Sequence, residues 1–225
     1  MHRSFLLLLL PLVPLLGACL AVPMAMSRFP VSKNKVLASQ RMIRVSEVDP
    51  TIYENLIYKT SANFTRKPVY PPDMPAMLRP ETAQRLARAN ALVSAHGYRL
   101  QIWDAYRPHE VQIHFYDASG RNDLYVANPH NHPSQHSCGT AVDVTLVRAD
   151  GSAVPMPTGF DDFTPAAWSS AIHPDPEVRK NLRILQDAMR GAGFYMLAAE
   201  WWHYIDGNYR NYPKVVPWDK IRKSF

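Results

Sequence analysis

Residues 80–103, PETAQRLARANALVSAHGYRLQIW, hold a helix, a stop and a strand in succession. Pro80 suits the first turn of a helix. Leu86, Ala89, Leu92 and Val93 fall near one face at helical spacing, and Gly97 ends the run. Tyr98 to Trp103 then reads as a strand. Working outward, a further helix is expected after Pro108, and Ala141 to Val147 reads as a buried strand, apolar and β-rich around Asp143. Residues 176–190 read as another helix, with Val178, Leu182, Leu185 and Met189 at helical spacing and Gly191 and Gly193 as its stop. A last aromatic strand is read from Phe194 to Ile205. Helices packed on strands through irregular loops predict an α+β fold: a single domain with a small central antiparallel sheet flanked by helices. Two connections, 119–138 and 148–175, are longer than ~15 residues, which is uncommon unless they serve function.

The chain has 225 residues, enough for one compact domain. Hydrophobic residues make up 47% and charged residues 20%, a globular profile that sets disorder aside. Twenty prolines against nine glycines point to stiffened connections between short elements. The charge is modestly basic, +6 overall, but scattered. A mild attraction to anionic envelope surfaces follows. No basic stripe interleaved with aromatics is present, so a nucleic-acid partner is set aside.

Residues 4–16, SFLLLLLPLVPLL, are the most apolar run and follow Met1-His2-Arg3. A basic start, a short apolar stretch and small residues describe an export signal. A membrane span needs ~20 apolar residues, and Pro11 and Pro14 disfavour a stable helix. Leu16-Gly17-Ala18-Cys19 resembles a bacterial lipobox. The expected organisation is a signal peptide over 1–18, a tether over 19–45 beginning at a lipidated Cys19, and a domain over 46–225. Ordinary signal cleavage is the alternative. Leu20, by analogy with Gram-negative sorting, favours a periplasm-facing lipoprotein of the outer membrane. Beyond the leader only Cys138 remains, so no disulfide can staple the domain.

Chemistry concentrates in Ser134-Gln135-His136-Ser137-Cys138-Gly139-Thr140-Ala141-Val142-Asp143 and in Glu200-Trp201-Trp202-His203-Tyr204. Neutral imidazole and carboxylate suit zinc, and three protein ligands leave a fourth position for water. Taken singly, His136 is as readily a hydrogen-bonded structural residue. Asp143 shifts the balance, because a carboxylate in an apolar strand is costly to bury unless paired or metal-bound. Glu200, three residues before His203, is placed to act as a general base. Positions i and i+3 face opposite sides of a strand, so the backbone must turn between Glu200 and His203. Trp201, Trp202 and Tyr204 read as core and pocket wall. Cys138 has the alternatives of nucleophile and packing residue, and a small residue between two ligands favours packing. His130, His132 and His173 read as solvated loop residues.

The pattern Ser-x-His-x-x-Gly-x-Ala-x-Asp followed by Glu-Trp-Trp-His-Tyr resembles the D-alanyl-D-alanine dipeptidases of the vancomycin-resistance type. These lie within the zinc peptidases that include D-Ala-D-Ala carboxypeptidases. Asn63-Phe64-Thr65, Trp103-Asp104-Ala105-Tyr106-Arg107-Pro108 and Phe160-Asp161 agree, and the similarity runs from about residue 45 to 212. The doubled tryptophan is the dipeptidase form, since the carboxypeptidases usually carry one.

The resemblance implies one zinc ion held by His136, Asp143 and His203, Glu200 as catalytic base, and Arg107 stabilising the oxyanion. It implies that Tyr58 and Asp161 hold the substrate ammonium and that Ser134 contacts the dipeptide. Hydrolysis of D-Ala-D-Ala at the envelope is the expected activity. The alternatives are a peptidoglycan D,D-carboxypeptidase or endopeptidase and, from another class, a noncatalytic peptidoglycan-binding lipoprotein, against which Glu200 argues. The chain departs from the family at Arg66, where glycine is frequent, at Cys138, and at Phe163 to Ser170, which lacks histidines common in relatives.

Overall fold

The structure is a computed structural model and describes residues 41–222. The expected signal peptide and Cys19 lie outside these residues. Within them, seven strands and five α-helices form an α+β arrangement. The strands are β1 (Ile43–Arg44), β2 (Tyr53–Glu54), β3 (Met77–Leu78), β4 (Tyr98–Asp104), β5 (Ala141–Arg148), β6 (Phe194–Met196) and β7 (His203–Asp206). The helices are α1 (Pro80–Ser94), α2 (His109–Ala118), α3 (Gln135–Cys138), α4 (Pro176–Gly191) and α5 (Trp218–Ile221).

The main sheet has five strands in the order β2-β4-β5-β7-β6, beside a two-stranded β1-β3 ribbon. It is larger than the small antiparallel sheet expected, and its β2–β4 edge is parallel. Strand β5 is central and covered on both sides. Every residue from Ala141 to Val147 is buried, which is why the segment reads as a continuous apolar run.

Helices α1 and α4 pack together and against the sheet through Leu86, Val93, Leu185 and Met189, all fully buried. Asn90 ties α1 to the sheet by accepting a hydrogen bond from the Leu100 amide at 2.9 Å. Asp175 caps α4, accepting from the Glu177 amide at 2.7 Å, and Pro176 occupies the first turn. Leu92, expected on the buried face of α1, is 46% exposed, because that face closes around Leu86, Ala89 and Val93 instead.

The aromatic segment expected as one strand is a hairpin. It leaves β6 at Met196 and re-enters the sheet at His203, with Trp201 and Trp202 in the turn. Val45, placed in the tether by sequence, is fully buried, and its amide donates to the Ala76 carbonyl, so packing starts ahead of residue 46. Among the described residues no helix is long and apolar enough to cross a membrane.

Candidate active site

Two strands and one helical turn bring the expected metal ligands together. Asp143 on β5 is the direct register partner of His203, the first residue of β7. His136 arrives from α3, a single turn that must stop sharply for the chain to enter β5. Gly139 provides the stop. Its φ of +74° is a conformation side chains resist, and its amide donates to the His136 carbonyl. A side chain there would also strike Met42. This explains the glycine between histidine and aspartate in the motif.

The ligand atoms of His136, Asp143 and His203 all lie within 4.8 Å of one another. His203 Nδ1 is 2.9 Å from Asp143 Oδ1 and 3.1 Å from His136 Nε2, which is 3.5 Å from Asp143 Oδ2. Tetrahedral bonds of about 2.0–2.1 Å place neighbouring ligand atoms about 3.3 Å apart, so the donor set fits a zinc-sized cation. The orientation fits as well. His136 Nδ1 donates to the Ala105 carbonyl at 2.7 Å, which turns the Nε2 lone pair into the cluster. Burial opposes ionisation of Asp143, but the facing His136 and His203 outweigh it and hold the carboxyl below the usual range.

Glu200 joins them because the chain turns. The His203 amide donates to the Glu200 carbonyl at 3.2 Å, closing a four-residue turn, and Glu200 Oε2 stands 3.9 Å from His203 Nδ1. Only 6% of Glu200 is exposed, and burial, followed by the Asp143 carboxylate, pushes its carboxyl well above the usual range. The segment 167–169 clamps this turn: Trp201 N donates to the Ala167 carbonyl and Ser169 N to that of Ala198.

Arg107 is buried beside the cluster, with Nη2 3.9 Å from Asp143 Oδ2. Its Nε and Nη2 grip Asp104 Oδ2 at 3.0 and 2.7 Å, and Nη1 donates to Gln112 Oε1 at 2.8 Å. Burial disfavours the guanidinium charge, but Asp104 beside it prevails and keeps the group firmly protonated. The cation also lies over the rings of Phe115 and Tyr58, at 4.9 and 5.4 Å.

These groups share a cavity of about 280 Å³ with Tyr58, Ser134 and Asp161. Tyr58 donates to Asp161 Oδ1 at 2.9 Å and the Phe64 amide to Oδ2 at 3.1 Å. Asn63 shapes that loop, its side chain bonding Thr60, Thr65 and Lys67, and this accounts for the Asn-Phe-Thr motif. Burial raises the Asp161 carboxyl to about 6 despite these donors. Trp202 lines the cavity, whereas Trp201 packs on Trp103 behind it and donates to Thr158.

The family described as D-Ala-D-Ala dipeptidase matches residues 38–217. The chain belongs to this family. With it, the protein falls among the zinc metallopeptidases. The D-alanyl-D-alanine dipeptidase of Escherichia coli is 30% identical over 78% of this chain and 89% of its own length. That of Enterococcus faecium is 33% identical over 66% of this chain and 82% of its own. A solved D,D-pentapeptidase of a VanB-type vancomycin resistance cassette, in complex with Zn(II), matches at a TM-score of 0.38. It is 18% identical over 61% of this chain and 77% of that one.

The peptidase site is also supported by residues that sequence alone left without a role. Asp104 is fully buried, accepts from Tyr70 at 2.7 Å, and lies 3.6 Å from His136 Nδ1. Gln112, fully buried on α2, accepts from Arg107 and donates to the Ala127 carbonyl at 2.7 Å. Asp104 sits inside a recognised motif, so its signal was present. Gln112 has none, because no motif marks it, although it lies only five residues after Arg107. Cys138 is fully buried, and burial raises its thiol to about 11, which suits packing and not attack. His130 and His132 are exposed, His132 at the cavity's edge, and His173 is half-buried.

Proposed function

We propose that this peptidase hydrolyses the free dipeptide D-Ala-D-Ala to two D-Ala, with one zinc held by His136 Nε2, a carboxylate oxygen of Asp143 and His203 Nδ1. The observation that carries this reading is the convergence of those three atoms within 4.8 Å, with the Glu200 carboxylate beside them in a small cavity. Ligand pockets commonly span about 300–1,000 Å³, so a cavity of about 280 Å³ favours a small substrate. It also favours a dipeptidase over an enzyme trimming stem peptides.

When bound, zinc supplies a Lewis acid that polarises the scissile carbonyl and makes water more acidic. Glu200 takes the proton of the attacking water and passes it to the departing amine, a role suited to a buried carboxyl. Arg107, immobilised by Asp104 and Gln112, directs a fixed positive charge at the oxygen on which negative charge develops. Asp161, with Tyr58, receives the substrate ammonium at one side of the cavity, and Ser134 lies against the dipeptide.

The decisive experiment is an assay of the metal-replete protein on D-Ala-D-Ala, L-Ala-L-Ala and a stem pentapeptide. Preferential cleavage of the first is expected, and equal rates on the pentapeptide would overturn the dipeptidase reading. We further propose export and anchoring through an acylated Cys19. Globomycin-sensitive processing and loss of membrane association in Cys19→Ala are the tests.

A further inference from the structure

The cavity is walled by aromatic side chains from three separate loops, and two of them meet face to face. Tyr125, from the connection after α2, stacks on Phe163, from the connection after β5, with ring centroids 4.9 Å apart and planes 20° apart. Phe163 also meets Phe64 edge-on at 5.4 Å, and Phe64 in turn packs on Phe115 at 5.2 Å. Tyr125, Phe163 and Phe64 all line the cavity that holds the candidate catalytic groups.

This clasp has a definite position relative to the chemistry. The backbone amide of Phe64 donates to Asp161, and Phe163 follows Asp161 by two residues. The three rings therefore stand at the Asp161 side, where the proposed function places the substrate ammonium. A peptide extended at its amine has to leave the cavity through that side. The Tyr125 loop is itself anchored, because the Ala127 carbonyl accepts from Gln112. The rings thus join two long connections that have no backbone pairing between them among the described residues.

We propose that the Tyr125–Phe163 stack is the specificity-determining element that closes the amine side of the cavity and excludes peptides longer than two residues. The inference rests on the dipeptidase reading. Aromatic pairs in offset-stacked or edge-to-face contact attract one another beyond the area they bury, so the contact holds the two loops against each other.

The test compares kcat/KM for D-Ala-D-Ala with that for L-Ala-D-Ala-D-Ala, the same dipeptide extended by one residue at its amine. Three variants are needed: Tyr125→Ala, Phe163→Ala and the stack-preserving Tyr125→Phe. Tyr125 is half-buried on a surface loop, so its truncation leaves the core intact and secures one folded variant. The tripeptide-to-dipeptide ratio is expected to rise at least tenfold in each alanine variant and to stay near wild type in Tyr125→Phe. An unchanged ratio in folded Tyr125→Ala overturns the clasp while leaving the dipeptidase reading intact. A wild-type enzyme that cleaves the tripeptide as well as the dipeptide also overturns it. Wild-type protein that cleaves neither overturns both.

Discussion

Asp143 and His203 face each other as register partners on adjacent antiparallel strands, with His203 Nδ1 2.9 Å from Asp143 Oδ1. Asp104 pairs with Asp143 from the other side, just past an irregularity in β4 that follows Ile102. Three polar residues thus form one row across β4, β5 and β7, and His136 completes the cluster from α3. The His136, Asp143 and His203 cluster is costly to bury without a cation or protons shared among its members, because carboxylate and imidazole acceptor atoms otherwise face one another.

Metal removal should therefore lower stability as well as activity. Chelated protein is expected to melt earlier, and zinc at about 100 times its dissociation constant should restore about 2.7 kcal/mol. Calorimetry with and without zinc measures this. His136→Ala should lose most of the zinc-dependent shift.

Glu200→Gln should reduce kcat on D-Ala-D-Ala by about 100- to 10,000-fold, the usual contribution of a general base. Zinc content should remain near one equivalent, because Glu200 lies outside the three-atom cluster. Elemental analysis beside steady-state kinetics checks both halves, and a variant that keeps its rate removes Glu200 from the mechanism.

Gln112→Ala frees one side of Arg107 without touching the cluster of ligands. A fall in kcat of roughly 10- to 100-fold is expected, smaller than the 100- to 1,000-fold typical of losing an oxyanion donor, which Arg107→Ala should approach. Arg107→Lys should not rescue, since an ammonium cannot reproduce the two-pronged grip on Asp104.

The Asp161 carboxyl sits at about 6 in the folded protein, above its ordinary value near 3.8, because it is buried. Between these values the folded state holds the proton more firmly than the unfolded state. Stability from this group is therefore greatest below the lower value and declines as pH rises toward 6. In metal-free protein, the stability of Asp161→Asn relative to wild type should climb from pH 4 to 6 and then level off. Urea titrations across that window read it directly, and a flat difference rejects the assignment.

Arg66 has φ of +58° immediately after the Asn63-Phe64-Thr65 loop. The left-handed region costs a side-chain-bearing residue about 1–2 kcal/mol, partly offset by the entropy glycine loses on folding. Arg66→Gly should raise the unfolding free energy by about 0.5 kcal/mol at an unchanged denaturant slope.

The elements with strong periodicity or uniform burial were legible in the sequence: α1, α4, β4 and β5 are where their patterns put them. The β6–β7 hairpin was not, because its turn contains two buried tryptophans in place of the polar residues that announce turns. The constraint that Glu200 and His203 share a site nevertheless required a turn there. The candidate metal-ligand set was legible because its spacing reflects a helix stop at Gly139 and a strand entering at Ala141. The Tyr125–Phe163 contact was hidden because it joins segments that only the folded chain brings together. Gln112 was hidden because no motif marks it, although it lies five residues from Arg107.

The cross-strand row also bears on which changes of length this protein tolerates. Side chains alternate between the two faces of a strand, so one residue inserted between Gly139 and Asp143 would turn the carboxylate toward the opposite face. The same holds for β7 ahead of Tyr204. The connections after α2 and β5 carry no such count, and residues gained or lost there reshape the cavity wall while the cluster stays in place. Lineages descended from this chain can therefore change their choice of peptide through insertions and deletions in two loops, with the hydrolytic centre passed on unaltered.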